Sequence, residues 1–137
     1  MFLACSNNDF EQVKKCIAQG ESVNKHNEQP YFENGWSAIR YAALAGNKND
    51  SQCQIDIIIE NAKKIITLLI ENGADINHRD VDGVTTLMSV SQFKRRINLV
   101  RFLLAAGANK NIKDINNKKA CDYAGSVAIK QLITTSV

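Results

Sequence analysis

Leu69-Ile70-Glu71-Asn72-Gly73-Ala74-Asp75-Ile76-Asn77 is an apolar helix end, a glycine and a polar turn closing on asparagine. Glycine takes a left-handed backbone without steric cost, so this order of residues reads as a helix stopped by a glycine cap. The same order returns as Leu103-Leu104-Ala105-Ala106-Gly107-Ala108-Asn109-Lys110-Asn111 and, upstream, as Cys16-Ile17-Ala18-Gln19-Gly20-Glu21-Ser22-Val23-Asn24. Recurrence of one unit along a chain marks a repeat architecture, in which each unit buries its apolar face against its neighbours.

A helix start recurs as well. Asn34-Gly35-Trp36-Ser37-Ala38-Ile39-Arg40-Tyr41-Ala42 and Asp82-Gly83-Val84-Thr85-Thr86-Leu87-Met88-Ser89-Val90 share a glycine turn followed by a hydroxyl placed to cap a helix. Asn116-Asn117-Lys118-Lys119-Ala120-Cys121-Asp122-Tyr123-Ala124 is a weaker copy. Gly73 to Gly83 and Gly107 to Asn117 each span ten positions, so the register repeats, whereas Gly20 to Gly35 spans 15 and Gly35 to Gly83 spans 48. The unit is turn, helix, helix, turn.

These residues resemble the ankyrin repeat, whose period is about 33 residues and whose helix start reads roughly Gly-x-Thr-Pro-Leu-His-x-Ala. The resemblance covers nearly the whole chain. It implies an all-α fold, a solenoid of about four helical-hairpin units with two atypical caps and β-hairpin-like finger loops. Residues 1–137 then form a single domain: a cap at 1–27, a repeat at 28–80 with an insertion at 47–61, a repeat at 81–114, and a truncated cap at 115–137. Ser37-Ala38-Ile39-Arg40, Thr85-Thr86-Leu87-Met88 and Lys119-Ala120-Cys121-Asp122 stand where the family has Thr-Pro-Leu-His. The helix-start proline and the histidine that ties neighbouring repeats together are therefore missing. Within this frame the cap carries helices at 2–6 and 10–19, and a loop over 47–52 leads into one continuous helix over 55–71. The expected core is Ala4, Val13, Cys16, Ile17, Ile39, Ala42, Ala43, Ile65, Ile66, Leu68, Leu69, Leu87, Val90, Leu99, Val100, Leu103 and Leu104, at helical spacing.

Composition narrows the function classes. The 137 residues are 45% hydrophobic and 23% charged, which argues against disorder and against a fibrous chain. No apolar run approaches the roughly 20 residues of a membrane span. Met1-Phe2-Leu3-Ala4-Cys5-Ser6 has no basic leader, so a cytoplasmic location is expected, or a host cytosol if the chain belongs to a translocated effector enzyme. A net charge of +3 is too small and too dispersed for a dedicated nucleic-acid binder. Four widely spaced cysteines are expected to be free thiols. His26 and His78 fall at matching turns, and no Cys-x-x-Cys, phosphate-binding glycine loop or Gly-x-Ser-x-Gly elbow occurs. The expectation is no enzyme, no cofactor and no metal.

Candidate binding residues follow from the register. Tyr31 and Phe32 lie in the lengthened first turn, and Trp36 and Val84 lie between a turn glycine and its capping hydroxyl, where the resemblance implies side chains facing the concave side. Arg40, Leu44, Met88, Gln92 and Phe93 share the concave side of the first helices, with Arg95 and Arg96 adjoining. Large aromatics at such positions are typical anchors for a partner protein. The competing reading is that the aromatics form a satellite core and that the charge run is a solvated connection. A second alternative is self-assembly, as a homodimer, through an exposed ridge of Ile55, Ile58 and Ile59 in the insertion.

Overall fold

The computed structural model describes residues 1–25, 35–46 and 49–136. The chain divides into two compact units, Met1–Asp75 and Ile76–Val137. Tyr31, Phe32 and His26 lie outside the described residues.

The first unit holds α1 (Phe2–Ser6), α2 (Phe10–Ala18), α3 (Ala38–Ala43) and α4 (Gln52–Glu71). α1 packs on α2 and α3, and α4 packs on α2 and α3. Helix starts are fixed by side-chain caps: Asp9 accepts from the Gln12 N–H (3.0 Å) and Ser37 from the Arg40 N–H (3.4 Å). α4 begins earlier than the expected residue 55 because Ser51 and Gln54 form a reciprocal capping box. The Gln54 N–H donates to Ser51 Oγ (3.2 Å), and the Ser51 N–H donates to Gln54 Oε1 (2.7 Å).

The added turns of α4 do not form the exposed ridge that the self-assembly alternative requires. Ile55 and Ile59 are 6% and 1% exposed and continue the buried stripe of Ala62, Ile65, Ile66 and Leu69. Ile58 is half-buried, and the exposed isoleucine is Ile57, at 65%. The turn between α1 and α2 covers this end of α4: Asn8, left-handed at φ 59, donates through Nδ2 to the Ile58 carbonyl (3.3 Å) and accepts at its own carbonyl from Asn61 Nδ2. The α4 helix ends on Gly73 at φ 88, where the Ala74 N–H donates to the Leu69 carbonyl (2.9 Å) and the Gly73 N–H to that of Ile70 (2.9 Å). This is the glycine cap the sequence announces.

Across that cap runs a contact between successive turns. Asn24 Nδ2 donates to the Gly73 carbonyl (2.8 Å) while its Oδ1 accepts from the Asp75 N–H (2.9 Å). The second unit repeats it: Asn77 Nδ2 donates to the Gly107 carbonyl (3.5 Å), and Asn77 Oδ1 accepts from the Asn109 N–H (2.7 Å). The asparagine closing each turn thus binds the glycine turn that follows.

The second unit holds α5 (Thr86–Ser91), a 3-10 turn at Lys94–Arg96, α6 (Ile97–Ala105), a 3-10 helix at Ala120–Tyr123 and α7 (Val127–Thr135). Its core is Leu87, Met88, Val90, Leu99, Val100, Leu103, Ile129 and Ile133, all at or below 1% exposed. The expected finger loops are present. Arg79 and Thr85 form an antiparallel bridge, and Asp80 Oδ1 accepts from the N–H groups of Asp82 (3.0 Å) and Val84 (2.8 Å). Asp114 Oδ1 does the same for Asn116 and Lys118, both at 2.9 Å. The two fingers stack through an Ile115 N–H to Asp82 carbonyl bond (3.0 Å). The Tyr123 hydroxyl donates to Asp114 Oδ2. That bond, with the two backbone donors, holds the Asp114 carboxyl below its ordinary range and pushes the Tyr123 phenol up to about 12. Lys110 closes the unit, its ammonium donating to the Ile133 carbonyl (3.0 Å) and to that of Ser136 at the end of α7.

Candidate functional site

The caps and turns of the first unit leave a cleft of about 870 Å³ beside α1 and α3. One wall is Phe2, Ser6 and Asn8, from α1 and the turn after it. Trp36 and Leu44, on either side of α3, and Tyr41 within it also line the cleft, with Asp50 and with Ile58 of α4. The rings form a cluster: Phe2 and Tyr41 centroids lie 5.2 Å apart, and those of Trp36 and Tyr41 5.4 Å apart. The Arg40 guanidinium sits over the Trp36 ring at 4.4 Å from its centroid, a cation–π contact that fixes the indole from one side.

The polar side chains of the cleft are those of Ser6, Asn7, Asn8, Trp36, Tyr41 and Asp50. Asn8 uses Nδ2 on the Ile58 carbonyl, and its Oδ1 is buried without a hydrogen-bond partner among the described residues. An unserved buried acceptor costs about 1–3 kcal/mol. Asp50 lies on the other side of Ile58: a Cβ at Gly46 would stand 3.0 Å from Ile58 Cδ1 and 3.1 Å from Asp50 Oδ2. Asp50 is the single charged side chain among the described residues lining the cleft.

Of the residues singled out from sequence, Trp36 and Leu44 line this cleft, and Arg40 supports it from a buried position, 8% exposed. Val84, Met88, Gln92, Phe93, Arg95 and Arg96 belong to the second unit. Met88 is no surface residue: every side chain of α5 is buried, and the Met88 sulfur accepts from the Thr85 N–H (3.4 Å) within the helix-start box. Val84 is half-buried, Gln92 exposed, and Phe93 46% exposed with the Arg96 guanidinium 5.9 Å from its ring centroid. Arg95 and Arg96 are half-buried. Sequence reasoning missed Phe2, Asn8, Tyr41 and Asp50. The signal available was Asn7-Asn8-Asp9, a left-handed asparagine followed by a helix-capping aspartate, which turns the chain back over α4.

Among the described residues no group of three or more His, Cys, Asp or Glu side chains could hold a metal ion. The thiols differ in reactivity. Cys5 is fully buried, and burial pushes its pKa up to about 12, while Cys53 is exposed. At pH 8 a thiol reagent is expected to label exposed Cys53 far faster than buried Cys5, read by mass spectrometry of timed samples. Equal labelling would contradict the packing of α1. The unfolded chain ionises this thiol near its ordinary pKa of 9.0 and the folded chain does not, so stability is lost as pH climbs from about 9 to about 12.

No helix among the described residues is long and apolar enough to cross a membrane. An ankyrin repeat protein of Borreliella burgdorferi is 38% identical over 63 residues, which is 46% of this chain and 15% of that protein's length. The crystal structure of the ankyrin repeat domain of Bcl-3, described as a unique member of the IkappaB protein family, superposes with a TM-score of 0.74 at 20% identity, covering 97% of this chain and 50% of that one. A family model described as ankyrin repeats, in three copies, matches residues 1–114. With its glycine caps, asparagine contacts and paired helices in the same order, the chain belongs to the ankyrin repeat family.

Proposed function

We propose that the chain is a protein–protein interaction module without catalytic activity of its own, and that it holds its partner in the cleft beside α1 and α3. The observation that carries this reading is the open cleft of about 870 Å³ with three aromatic rings gathered at its wall. Its volume is within the range of well-formed ligand sites, and aromatic anchors at a pocket dominate binding energy in protein complexes. Ankyrin repeats are interaction domains, which supports this reading. Secondary contacts run through the finger loops, where Val81 and Ile115 are 61% and 66% exposed, and through Phe93, Gln92, Arg95 and Arg96 at the connection between α5 and α6. Burial of Ile55 and Ile59 removes most of the apolar ridge on which self-assembly would rest. Nucleic acid is disfavoured by the small net charge, and a cytosolic setting suits an interaction module with free thiols.

The test is capture from lysate by the immobilised chain, with Trp36→Ala and Phe93→Ala compared in parallel. Trp36→Ala is expected to abolish retention of the specific partner, a loss of at least about tenfold for an anchor worth 2 kcal/mol or more. Phe93→Ala is expected to weaken retention less. Capture unchanged by Trp36→Ala, in a variant with the wild-type melting curve, sinks the cleft as the binding surface.

A further inference from the structure

We infer that the connection between α5 and α6, with the exposed face of α6, docks an acidic segment of a partner protein. Its carboxylates meet Lys94 and Arg101, and an apolar side chain between them packs on Phe93. The inference rests on the protein-binding reading above but not on the first-unit cleft, since every residue it uses belongs to the second unit.

Charge is divided unevenly along the chain. Residues 1–75 carry seven Lys and Arg against ten Asp and Glu, and residues 76–137 carry ten against four, so the net +3 combines a unit at −3 with a unit at +6. The positive charge is concentrated further. Between Asp82 and Asp114 stand six Lys and Arg and no acid. α6 runs through this stretch, and the elements packed on it within the second unit, α5, the 3-10 turn at Lys94–Arg96 and α7, carry no Asp or Glu. Three of the four carboxylates of the unit serve turns elsewhere: Asp80 and Asp114 accept from N–H groups of their own fingers, and Asp122 accepts from the Lys119 N–H (2.8 Å). The cations around α6 thus follow one another with no carboxylate interleaved, a like-charge arrangement that an acidic ligand relieves.

The same stretch presents groups that a segment can grip. Asn98, Arg101 and Ala105 are exposed at helical spacing along α6, and Lys94 is exposed in the turn that leads into it. Neither Lys94 nor Arg101 pairs with a carboxylate among the described residues. Seven positions of near-helical chain set them about 11 Å apart, which three or four residues of extended peptide span. Exposed ion pairs are weak singly, so a ligand held here needs an apolar contact as well, and Phe93, 46% exposed beside Lys94, supplies it. Other polyanions fit less well. The opposite charge of the first unit cuts the long-range field to the +3 that disfavours nucleic acid. A flat anionic bilayer takes up basic side chains that project freely, whereas Arg95 and Arg96 are half-buried.

The full chain is titrated into the peptide Gly-Glu-Glu-Leu-Glu-Glu-Gly, blocked at its C-terminus and carrying an uncharged fluorophore, with anisotropy as the readout. Saturation is expected at sub-millimolar chain in low salt, and the same peptide with glutamine for glutamate should bind at least about tenfold more weakly. Lys94→Glu combined with Arg101→Glu is expected to weaken the acidic peptide about tenfold or more. Lys14→Glu combined with Lys64→Glu, an equal change of charge at exposed positions of the first unit, should weaken it less than about twofold, both variants keeping the wild-type melting curve. Phe93→Ala is expected to weaken this peptide about fivefold and to leave its leucine-to-alanine analogue unchanged. No saturation, equal binding of the glutamine peptide, or equal loss in the two charge-reversed variants each overturn the inference. Oligothymidylate or phosphatidylserine vesicles bound more tightly than the peptide, and released by the Lys94 and Arg101 exchanges, overturn it in favour of nucleic acid or membrane. Partner capture lost in Trp36→Ala but undiminished by Lys94→Glu with Arg101→Glu overturns the acidic segment alone. Capture undiminished by Trp36→Ala, with peptide binding as expected, removes the cleft and leaves the acidic segment in place.

Discussion

Gly125→Ala is expected to destabilise the second unit by about 3 kcal/mol or more. A Cβ built at Gly125 would stand 2.0 Å from the Gln92 carbonyl oxygen and 2.7 Å from its carbonyl carbon. Both atoms are backbone, so no side-chain rotation relieves the clash. The approach is held by the Gly125 N–H, which donates to the Ser91 carbonyl at 2.8 Å and ties the segment before α7 to the end of α5. Gly107→Ala is the control: its Cβ would meet nothing within 4 Å, and its φ of +98 leaves only conformational strain, about 1–2 kcal/mol. Urea denaturation of the two variants should therefore separate them clearly, Gly125→Ala losing its cooperative transition at much lower denaturant. Similar midpoints would show that the segment before α7 is not held against the end of α5.

Ile59→Ala should cost about 2–5 kcal/mol, whereas Ile57→Ala, the same exchange two positions earlier on the same helix, should stay within about 0.5 kcal/mol. Ile59 is 1% exposed and belongs to the buried stripe of α4, so truncation removes a buried side chain and leaves a void. Ile57 is 65% exposed and its loss touches little. Chemical denaturation of both variants under the same conditions measures the contrast. Equal midpoints would return the inserted turns of α4 to a free surface.

These two variants also show which parts of the fold are legible in the sequence. The glycine caps at Gly73 and Gly107, the hydroxyl caps at Ser37 and Thr85 and the core of α4 and α6 rest on local patterns a few residues long, and such patterns survive folding unchanged. Ser51-Gln52-Cys53-Gln54 carried an equally local signal, the capping box that starts α4. Gly125 carried none. It is solvent-exposed, and only the distance to a backbone 33 residues away makes its hydrogen indispensable. Helical periodicity likewise gives α4 a face but not its neighbour, which at Ile58 is the left-handed turn at Asn8.

The candidate site was half readable. Trp36 and Leu44 followed from their place in the repeat, but Met88, in the register position of Arg40, is consumed by the core because α5 is buried on all sides. Phe2, Asn8 and Asp50 enter the cleft from segments that share no register with the repeat, so a periodic argument has no means to bring them together.

The asparagine contacts have a direction. In each case the side chain belongs to the earlier turn and the carbonyl and N–H it satisfies belong to the later one. A segment copied from one turn to the next therefore arrives with a socket for its predecessor and a plug for its successor, and joins the series without new chemistry at either junction. Gly73 and Gly107 are 34 positions apart, so that is the length of a copy that keeps the series in step. Asn24 and Gly73 are 49 positions apart and Asn77 and Gly107 are 30, so the contact itself survives different lengths of chain between its halves. Lengthening is tolerated only between the two halves of the device, as in the insertion that extends α4, and this lets one repeat acquire a private cleft while its neighbours keep their common grammar.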